Sequence, residues 1–157
     1  MFIVKLCSVL HSIAPTKLLI ERSLVCTLLC EICAVKGALR ILAIDDNPSI
    51  TDAMPFIFAA PGYELTTAGD ANQALEKLAT RSTGFDVIII DQKMPRLTGV
   101  ELVKALKERR VPAKIIVVSG HLSPEIREAY ERMDVHIIFE KPFDIEELRS
   151  AVDQLAA

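Results

Sequence analysis

Residues 41–48 read Ile-Leu-Ala-Ile-Asp-Asp-Asn-Pro, an aliphatic run followed by two aspartates. Its four consecutive aliphatic residues are typical of a strand that is buried on both faces. An acidic pair ends the run, and Asn47 before Pro48 is a typical helix start. The asparagine side chain caps backbone N–H groups, and proline fits the first helical turn. The stretch therefore predicts a buried strand, a short acidic loop and a helix.

The same plan repeats along the chain. Similar apolar runs occupy residues 65–68, 87–90, 115–118 and 135–139. Between the runs, apolar residues at positions i, i+3, i+4 and i+7 outline one face of a helix, as they do in residues 126–133. Helix-capping signals precede these segments at Asp70, Thr98, Ser123 and Asp144. Five strands alternating with five helices predict an α/β domain with a parallel sheet.

The second strand differs from the others. Residues 64–68, Glu-Leu-Thr-Thr-Ala, alternate between apolar and polar side chains, which is typical of a strand at the edge of a sheet. We therefore predict a doubly wound, flavodoxin-like sheet of five parallel strands in the order 2-1-3-4-5. Such a sheet has a switch point between strands 1 and 3, where ligands bind beyond the carboxyl ends of the strands.

Three aspartates follow the strands that flank this switch point. Asp45 and Asp46 follow strand 1, and Asp91 follows strand 3. Taken singly, the pair could cap a helix and the lone aspartate could lie in a solvated turn. Taken together, three carboxylates repel one another, and a hard divalent cation is the usual means of keeping them ionised. We predict Mg2+, because it leaves coordination positions open for a phosphoryl oxygen.

Two further side chains complete the predicted site. Ser119 follows strand 4 and Lys141 follows strand 5. Either could be structural alone, as a capping serine or a solvent-facing lysine. A hydroxyl and a cation beside a carboxylate nucleophile and Mg2+ suit phosphoryl transfer, which depends on neutralising the charge of the transferred group. Five such residues at consecutive strand ends favour a phosphoryl-transfer site.

In these motifs the chain resembles the receiver domain of bacterial response regulators. The resemblance is carried by residues 41–48, Asp-Gln-Lys-Met-Pro-Arg-Leu-Thr-Gly at 91–99, Val-Val-Ser-Gly-His at 117–121 and Phe-Glu-Lys-Pro-Phe at 139–143. It extends from about Arg40 to Leu155. It implies a cytoplasmic signalling switch of a two-component system or phosphorelay, and not a metabolic enzyme.

The resemblance also implies roles for the acidic residues. Asp91 would accept a phosphoryl group from a sensor histidine kinase or a histidine phosphotransfer protein. Asp46 and Asp91 would bind Mg2+ directly, together with the backbone carbonyl of Lys93, and Asp45 would act through water. The domain itself would catalyse both its phosphorylation and its later dephosphorylation.

The remaining implied roles concern the residues around the phosphoryl group. Ser119 would donate a hydrogen bond to it, and Lys141 would form an ion pair with it. Lys93 and His121 would flank it and modulate its lifetime, or they could simply be exposed loop residues. Ile138 stands where receivers commonly carry an aromatic residue whose rotamer is coupled to the hydroxyl, so we expect altered coupling.

The predicted last helix bears on output. Its apolar face includes Ile145, Leu148, Val152 and Leu155, close to the last residue. We therefore expect a stand-alone receiver, similar to chemotaxis regulators, that makes no direct nucleic-acid contact. By resemblance, helix 4, strand 5 and helix 5 would pass the signal to a separate, unidentified protein through a shift between two states.

Two other function classes fit part of the pattern. Phosphatases of the haloacid dehalogenase type also use an aspartate nucleophile and Mg2+, but they need a second aspartate two residues later, where this chain has Lys93. A receiver-like binding module that works without phosphorylation is the stronger alternative, and Ile138 favours it. Such modules usually lose a carboxylate or the lysine, whereas this chain keeps all five residues.

Composition separates the first 37 residues from the rest. The chain has 157 residues, of which 51% are hydrophobic and 25% charged, and its net charge is −3. It is too apolar for a disordered tail. It is too acidic for a protein that binds nucleic acids through non-specific phosphate contacts. Residues 1–37 carry a net charge of +2, and residues 38–157 carry −5. We predict a short apolar extension over 1–37 and a receiver domain over 38–157.

The extension contains all four cysteines: Cys7, Cys26, Cys30 and Cys33. Its last three have the C-x3-C-x2-C spacing of radical SAM enzymes, whose large barrel this chain cannot hold, so we interpret them as buried or incidental thiols. Glu21, Arg22 and Glu31 interrupt its most apolar window, which argues against a membrane span. The extension also lacks a clear signal-peptide cleavage site. A start codon assigned too far upstream could account for the extension.

Overall fold

The computed structural model describes residues 37–81 and 84–156. Apart from Gly37, the predicted extension and its cysteines lie outside these residues, so the division of the chain at Gly37 stays a prediction. Within the described part of the chain, no helix is both long enough and apolar enough to cross a membrane.

The described residues alternate five strands with five helices. In chain order they are β1 Leu39–Ile44, α1 Pro48–Ile57, β2 Tyr63–Ala68, α2 Ala71–Thr80, β3 Val87–Asp91, α3 Gly99–Glu108, β4 Lys114–Ser119, α4 Pro124–Arg132, β5 Ile137–Glu140 and α5 Ile145–Ala156. The strands form one parallel sheet in the order β2-β1-β3-β4-β5. The predicted doubly wound, flavodoxin-like α/β fold is confirmed, with β2 at an edge.

The helices begin where the capping signals predict. The Asn47 side chain accepts from the Ser49 N–H at 3.0 Å, and Thr98 forms a reciprocal capping box with Glu101. Asp70, Ser123 and Asp144 likewise accept backbone N–H groups of α2, α4 and α5. Each such cap stabilises its helix by about 1 kcal/mol. The caps fix the lengths of the loops that follow the strands.

The sheet is covered on both faces. Leu42 and Ile44 of β1 pack in one core cluster with buried residues of α2, α3 and α4. Ile41 and Ala43, which point the other way, pack with α1 and α5. Because both faces are dry, the central strands consist of consecutive aliphatic residues without polar alternation.

The fifth strand begins later than predicted. The apolar run suggested residues 135–139, whereas β5 is Ile137–Glu140. Val135 belongs instead to the turn after α4, because its N–H donates to the Tyr130 carbonyl at 3.2 Å. Asp134 in the same turn has φ of +50°, a conformation that aspartate adopts more readily than most residues.

Candidate functional site

Four strands deliver the predicted site residues to one edge of the sheet. Asp91 ends β3 and Ser119 ends β4, while Asp45 and Lys141 directly follow β1 and β5. Parallel pairing, such as that of Asp91 with Val118, keeps these strand ends level. The predicted crevice at the carboxyl edge therefore contains these four residues.

Lys141 joins two of the aspartates. Its Nζ lies 2.7 Å from Oδ1 of Asp91 and 3.0 Å from Oδ2 of Asp45. Both aspartates are buried, with 7% and 6% of their surface exposed. A single ammonium group is thus shared by two carboxylates, and the cluster keeps an excess negative charge when both are ionised.

The surroundings act on these charges in opposite directions. Burial raises the pKa of the Asp91 carboxyl, and the nearby Asp45 adds to this, while the Lys141 ammonium opposes it. For Lys141, burial lowers the pKa, but the bonds to Asp91 and Asp45 outweigh that effect and raise it. Lys141 therefore stays protonated, and an additional cation would favour the ionised form of Asp91.

Backbone groups orient the two carboxylates. The second oxygen of Asp91, Oδ2, accepts from the Lys93 N–H at 2.7 Å. Oδ1 of Asp45 accepts from the Asn47 N–H at 2.9 Å. Each aspartate is therefore held by its own loop on one side and by Lys141 on the other, and Lys93 is fixed beside Asp91.

Ser119 lies at the crevice, but its hydroxyl bonds within its own loop. It donates to the His121 carbonyl at 2.8 Å and accepts from the His121 N–H at 3.2 Å. The contact with Lys141 is through the backbone, where the Lys141 N–H donates to the Ser119 carbonyl at 2.7 Å. The structure thus brings Ser119 near the acidic cluster while its hydroxyl is held by His121.

The structure places Asp46 and Ile138 outside the ion-paired cluster. Asp46 is exposed, and Ile138 packs against the core cluster that contains α4 residues. Within residues 37–81 and 84–156, no three Asp, Glu, His or Cys side chains are grouped to hold a metal ion. Mg2+ needs only one or two carboxylates and keeps several waters. The oxygen donors and unbalanced charge of the Asp45–Asp91 pair fit that requirement.

Sequence reasoning missed two polar groups beside Asp91. It placed Tyr130 on the core side of a helix, and this residue is indeed fully buried. It did not find that the Tyr130 hydroxyl and Oε1 of Gln92 are both buried without a hydrogen-bond partner among the described residues. No local pattern signals such a feature, because it depends on how closely α4 packs on the loop after β3.

Comparison with known proteins identifies the family of this chain. The sequence profile of the response regulator receiver domain matches residues 41–153. The transcriptional regulatory protein FixJ of Bradyrhizobium diazoefficiens is 30% identical over 116 residues, which cover 73% of this chain and 55% of FixJ. The chain therefore spans about half the length of that relative. Sporulation initiation phosphotransferase F of Bacillus subtilis is 28% identical over 113 residues, 72% of this chain and 90% of that protein.

A solved structure of a related protein has the same fold. The Vibrio cholerae chemotaxis protein CheY4 superposes with a TM-score of 0.68 and 31% identity, covering 76% of this chain and 99% of its own. The profile match spans most of the chain, and the fold and the acidic crevice are consistent with it. The chain belongs to the response regulator receiver domain family of two-component systems.

Proposed function

We propose that this domain accepts a phosphoryl group on Asp91 from a histidine kinase or a histidine phosphotransfer protein. The observation that carries the proposal is the Lys141 ammonium shared by Asp91 and Asp45 in a buried crevice. A phosphoryl acceptor needs a fixed carboxylate with positive charge beside it, and Asp91 has both.

The proposed step exchanges one bond to phosphorus for another. An Asp91 carboxylate oxygen attacks the phosphorus of a phosphohistidine, the P–N bond breaks, and its electron pair stays on the imidazole nitrogen. The product is an acyl phosphate on Asp91. Water later hydrolyses it, releasing inorganic phosphate and restoring the carboxylate. Lys141, already 2.7 Å from Asp91, supplies positive charge to the transferred group throughout.

The acidic residues hold the cation in this proposal. Asp46, Asp91 and the backbone carbonyl of Lys93 bind Mg2+ directly, and Asp45 acts through water. When bound, Mg2+ neutralises charge on the phosphoryl oxygens. The unbalanced charge of the buried aspartates supports this assignment, and the exposure of Asp46 leaves it accessible to a hydrated ion.

Ser119 and two loop residues respond to the phosphoryl group. The Ser119 hydroxyl exchanges its bonds with His121 for a bond to a phosphoryl oxygen. Lys93 and His121 lie on the two loops that flank Asp91 and modulate the lifetime of the acyl phosphate. Phosphorylation of the crevice shifts the equilibrium between two conformations of α4, β5 and α5. These elements form the surface that a separate cytoplasmic protein recognises.

The test is phosphorylation by a small donor. The full chain is incubated with Mg2+ and acetyl phosphate and then separated on a phosphate-affinity gel. We expect a retarded band that is stable in acid, labile in base and absent from Asp91→Asn. Asp86→Asn is the matched control, since Asp86 precedes β3 at the opposite edge of the sheet and should not affect the band. A chain that forms no Asp91-dependent adduct, with acetyl phosphate or with a cognate kinase, would instead be a phosphorylation-independent binding module.

A further inference from the structure

Two buried polar atoms of opposite hydrogen-bonding character, on α4 and on the residue after Asp91, have no partner among the described residues. The Tyr130 hydroxyl can donate a hydrogen bond, and Oε1 of Gln92 can accept one. Both are buried, and neither has a partner among the described residues. Because buried polar groups are nearly always hydrogen-bonded, two unpaired groups of opposite kind in one place require an explanation.

Gly99 shows how close the two residues are. A Cβ atom at Gly99 would lie 2.7 Å from the Tyr130 hydroxyl oxygen, 2.8 Å from Cα of Gln92 and 2.9 Å from the carbonyl oxygen of Asp91. The absence of that Cβ lets α4 approach the loop after β3. The Tyr130 hydroxyl and the backbone of Gln92 therefore line the same small space beside Gly99.

The loop before α4 connects this place to the phosphoryl site. That loop contains Ser119 and His121, which are hydrogen-bonded to each other, and it leads to the α4 cap at Ser123. Turning the Ser119 hydroxyl towards Asp91 breaks these bonds and frees the chain that leads into the helix. Tyr130 lies in the same helix as this cap, so a displacement at the start of α4 would also move Tyr130 relative to Gln92.

We propose that Tyr130 is a positioning residue whose hydroxyl donates to Oε1 of Gln92 when Asp91 carries a phosphoryl group, so that this bond stabilises the phosphorylated state. The inference rests on the proposed function. Burial and the negative charge of Asp91 both raise the pKa of Tyr130, so its hydroxyl keeps the proton that it would donate. Tyr130 would thereby link Asp91 to α4. This link would not depend on the β5 position that receivers commonly fill with an aromatic residue and that is Ile138 here.

Substitutions separate this role from simple packing. Tyr130→Phe removes only the hydroxyl, and Gln92→Met removes the amide oxygen at similar length. Affinity for beryllium fluoride with Mg2+, a mimic of the phosphoryl group, should fall about fivefold in each, as expected for one net hydrogen bond. The double variant should bind no more weakly than either single variant, because both lose the same bond. Without the mimic, Tyr130→Phe should be at least as stable as the parent, since it removes an unpaired buried group.

A spectroscopic measurement reports on the hydroxyl itself. The chain has two tyrosines and no tryptophan, so in a Tyr63→Phe background the near-ultraviolet absorption comes from Tyr130 with no other tyrosine. Adding the mimic should shift this absorption to longer wavelength, and Gln92→Met should abolish the shift. Unchanged affinity in Tyr130→Phe together with an unshifted spectrum would overturn this inference alone. No Asp91-dependent binding in the parent would overturn the phosphoacceptor proposal, and this inference with it.

Discussion

The ion pairs at the amino and carboxyl ends of the strands, here called the amino edge and the carboxyl edge, differ in their balance of positive and negative charge. At the amino edge, Arg40 bonds Asp86 through two guanidinium nitrogens at 2.6 and 2.9 Å, and its backbone N–H donates to the same carboxylate at 2.9 Å. At the carboxyl edge, Lys141 bonds Asp91 and Asp45 at 2.7 and 3.0 Å. The distances are alike, but the charges differ. At the amino edge the Arg81–Glu64 ion pair also acts on Arg40 and Asp86, so cations match anions. At the carboxyl edge the single Lys141 ammonium is shared by two carboxylates.

The two clusters also shift the pKa of their aspartates in opposite directions. The bond to Arg40 lowers the pKa of Asp86 and so favours the ionised form of that carboxylate. Burial and a second carboxylate raise the pKa of Asp91, whose charge is only partly compensated. We propose that the amino-edge pair stabilises the fold, whereas the excess negative charge of the carboxyl-edge cluster is available to bind a further cation.

Removing the shared cation should have the largest effect. Lys141→Met leaves Asp91 and Asp45 without their common partner and takes positive charge from the reacting group. We expect phosphorylation by acetyl phosphate to slow by about a hundredfold or more, as for other lost charge-stabilising groups. The rate is measured by phosphate-affinity gel over time. Lys104→Met, on the exposed side of α3, is the control, and a Lys141 variant as fast as this control would contradict the assignment.

Removing an anion should change stability in opposite directions at the two edges. Asp91→Asn relieves the excess negative charge and leaves Lys141 paired with Asp45, so we expect the thermal midpoint to rise by a few degrees. Asp86→Asn removes the carboxylate that accepts three hydrogen bonds from Arg40 and should lower the midpoint by about 5 °C. Calorimetry of both variants at neutral pH measures the difference. Equal shifts of the same sign would show that charge balance does not distinguish the two edges.

Much of this architecture could be predicted from the sequence because it depends on local patterns. Continuous aliphatic runs, the polar alternation in residues 64–68 and the capping residues set the strand order and the helix starts. The positions of Asp91 and Lys141 at the same carboxyl edge of the sheet then followed from parallel topology.

The remaining features depend on packing between distant segments. The Ser119 hydroxyl turns to His121 because donor and acceptor lie two residues away in its own loop. The unpaired hydroxyl of Tyr130 results from the close approach of α4 to Gly99. Neither arrangement has a signature in residue type or spacing.

Mg2+ should act on one edge only. If the carboxyl-edge cluster binds it, Mg2+ at ten times its dissociation constant should stabilise the parent by about 1.4 kcal/mol. Thermal unfolding with and without Mg2+ measures this. Asp86→Asn should retain the increase, while Asp46→Asn and Asp91→Asn should lose most of it. An increase that survives in Asp91→Asn would place the Mg2+ site elsewhere.

The smallest expected difference between the two edges is in how the free energy of unfolding depends on pH. Because its pKa is lowered in the fold, Asp86 contributes stability above the unfolded aspartate pKa of about 4, and this is lost as the pH falls through the folded value. The pKa of Asp91 is raised, so its contribution is greatest at low pH and declines as the pH rises through the folded value. Urea unfolding from about pH 3 to 8 should therefore show that Asp86→Asn flattens the acid limb, while Asp91→Asn gains most over the parent at neutral pH. Parallel curves for the two variants would contradict these signs.

In the proposed function, Asp91 at the carboxyl edge accepts the phosphoryl group. The most direct test of this step is to treat the full chain with Mg2+ and acetyl phosphate, reduce the acyl phosphate with borohydride and map the modified residue by peptide mass spectrometry. We expect reduction at Asp91 and none at Asp86. A modification that maps to another carboxylate, or that persists in Asp91→Asn, would contradict this proposal.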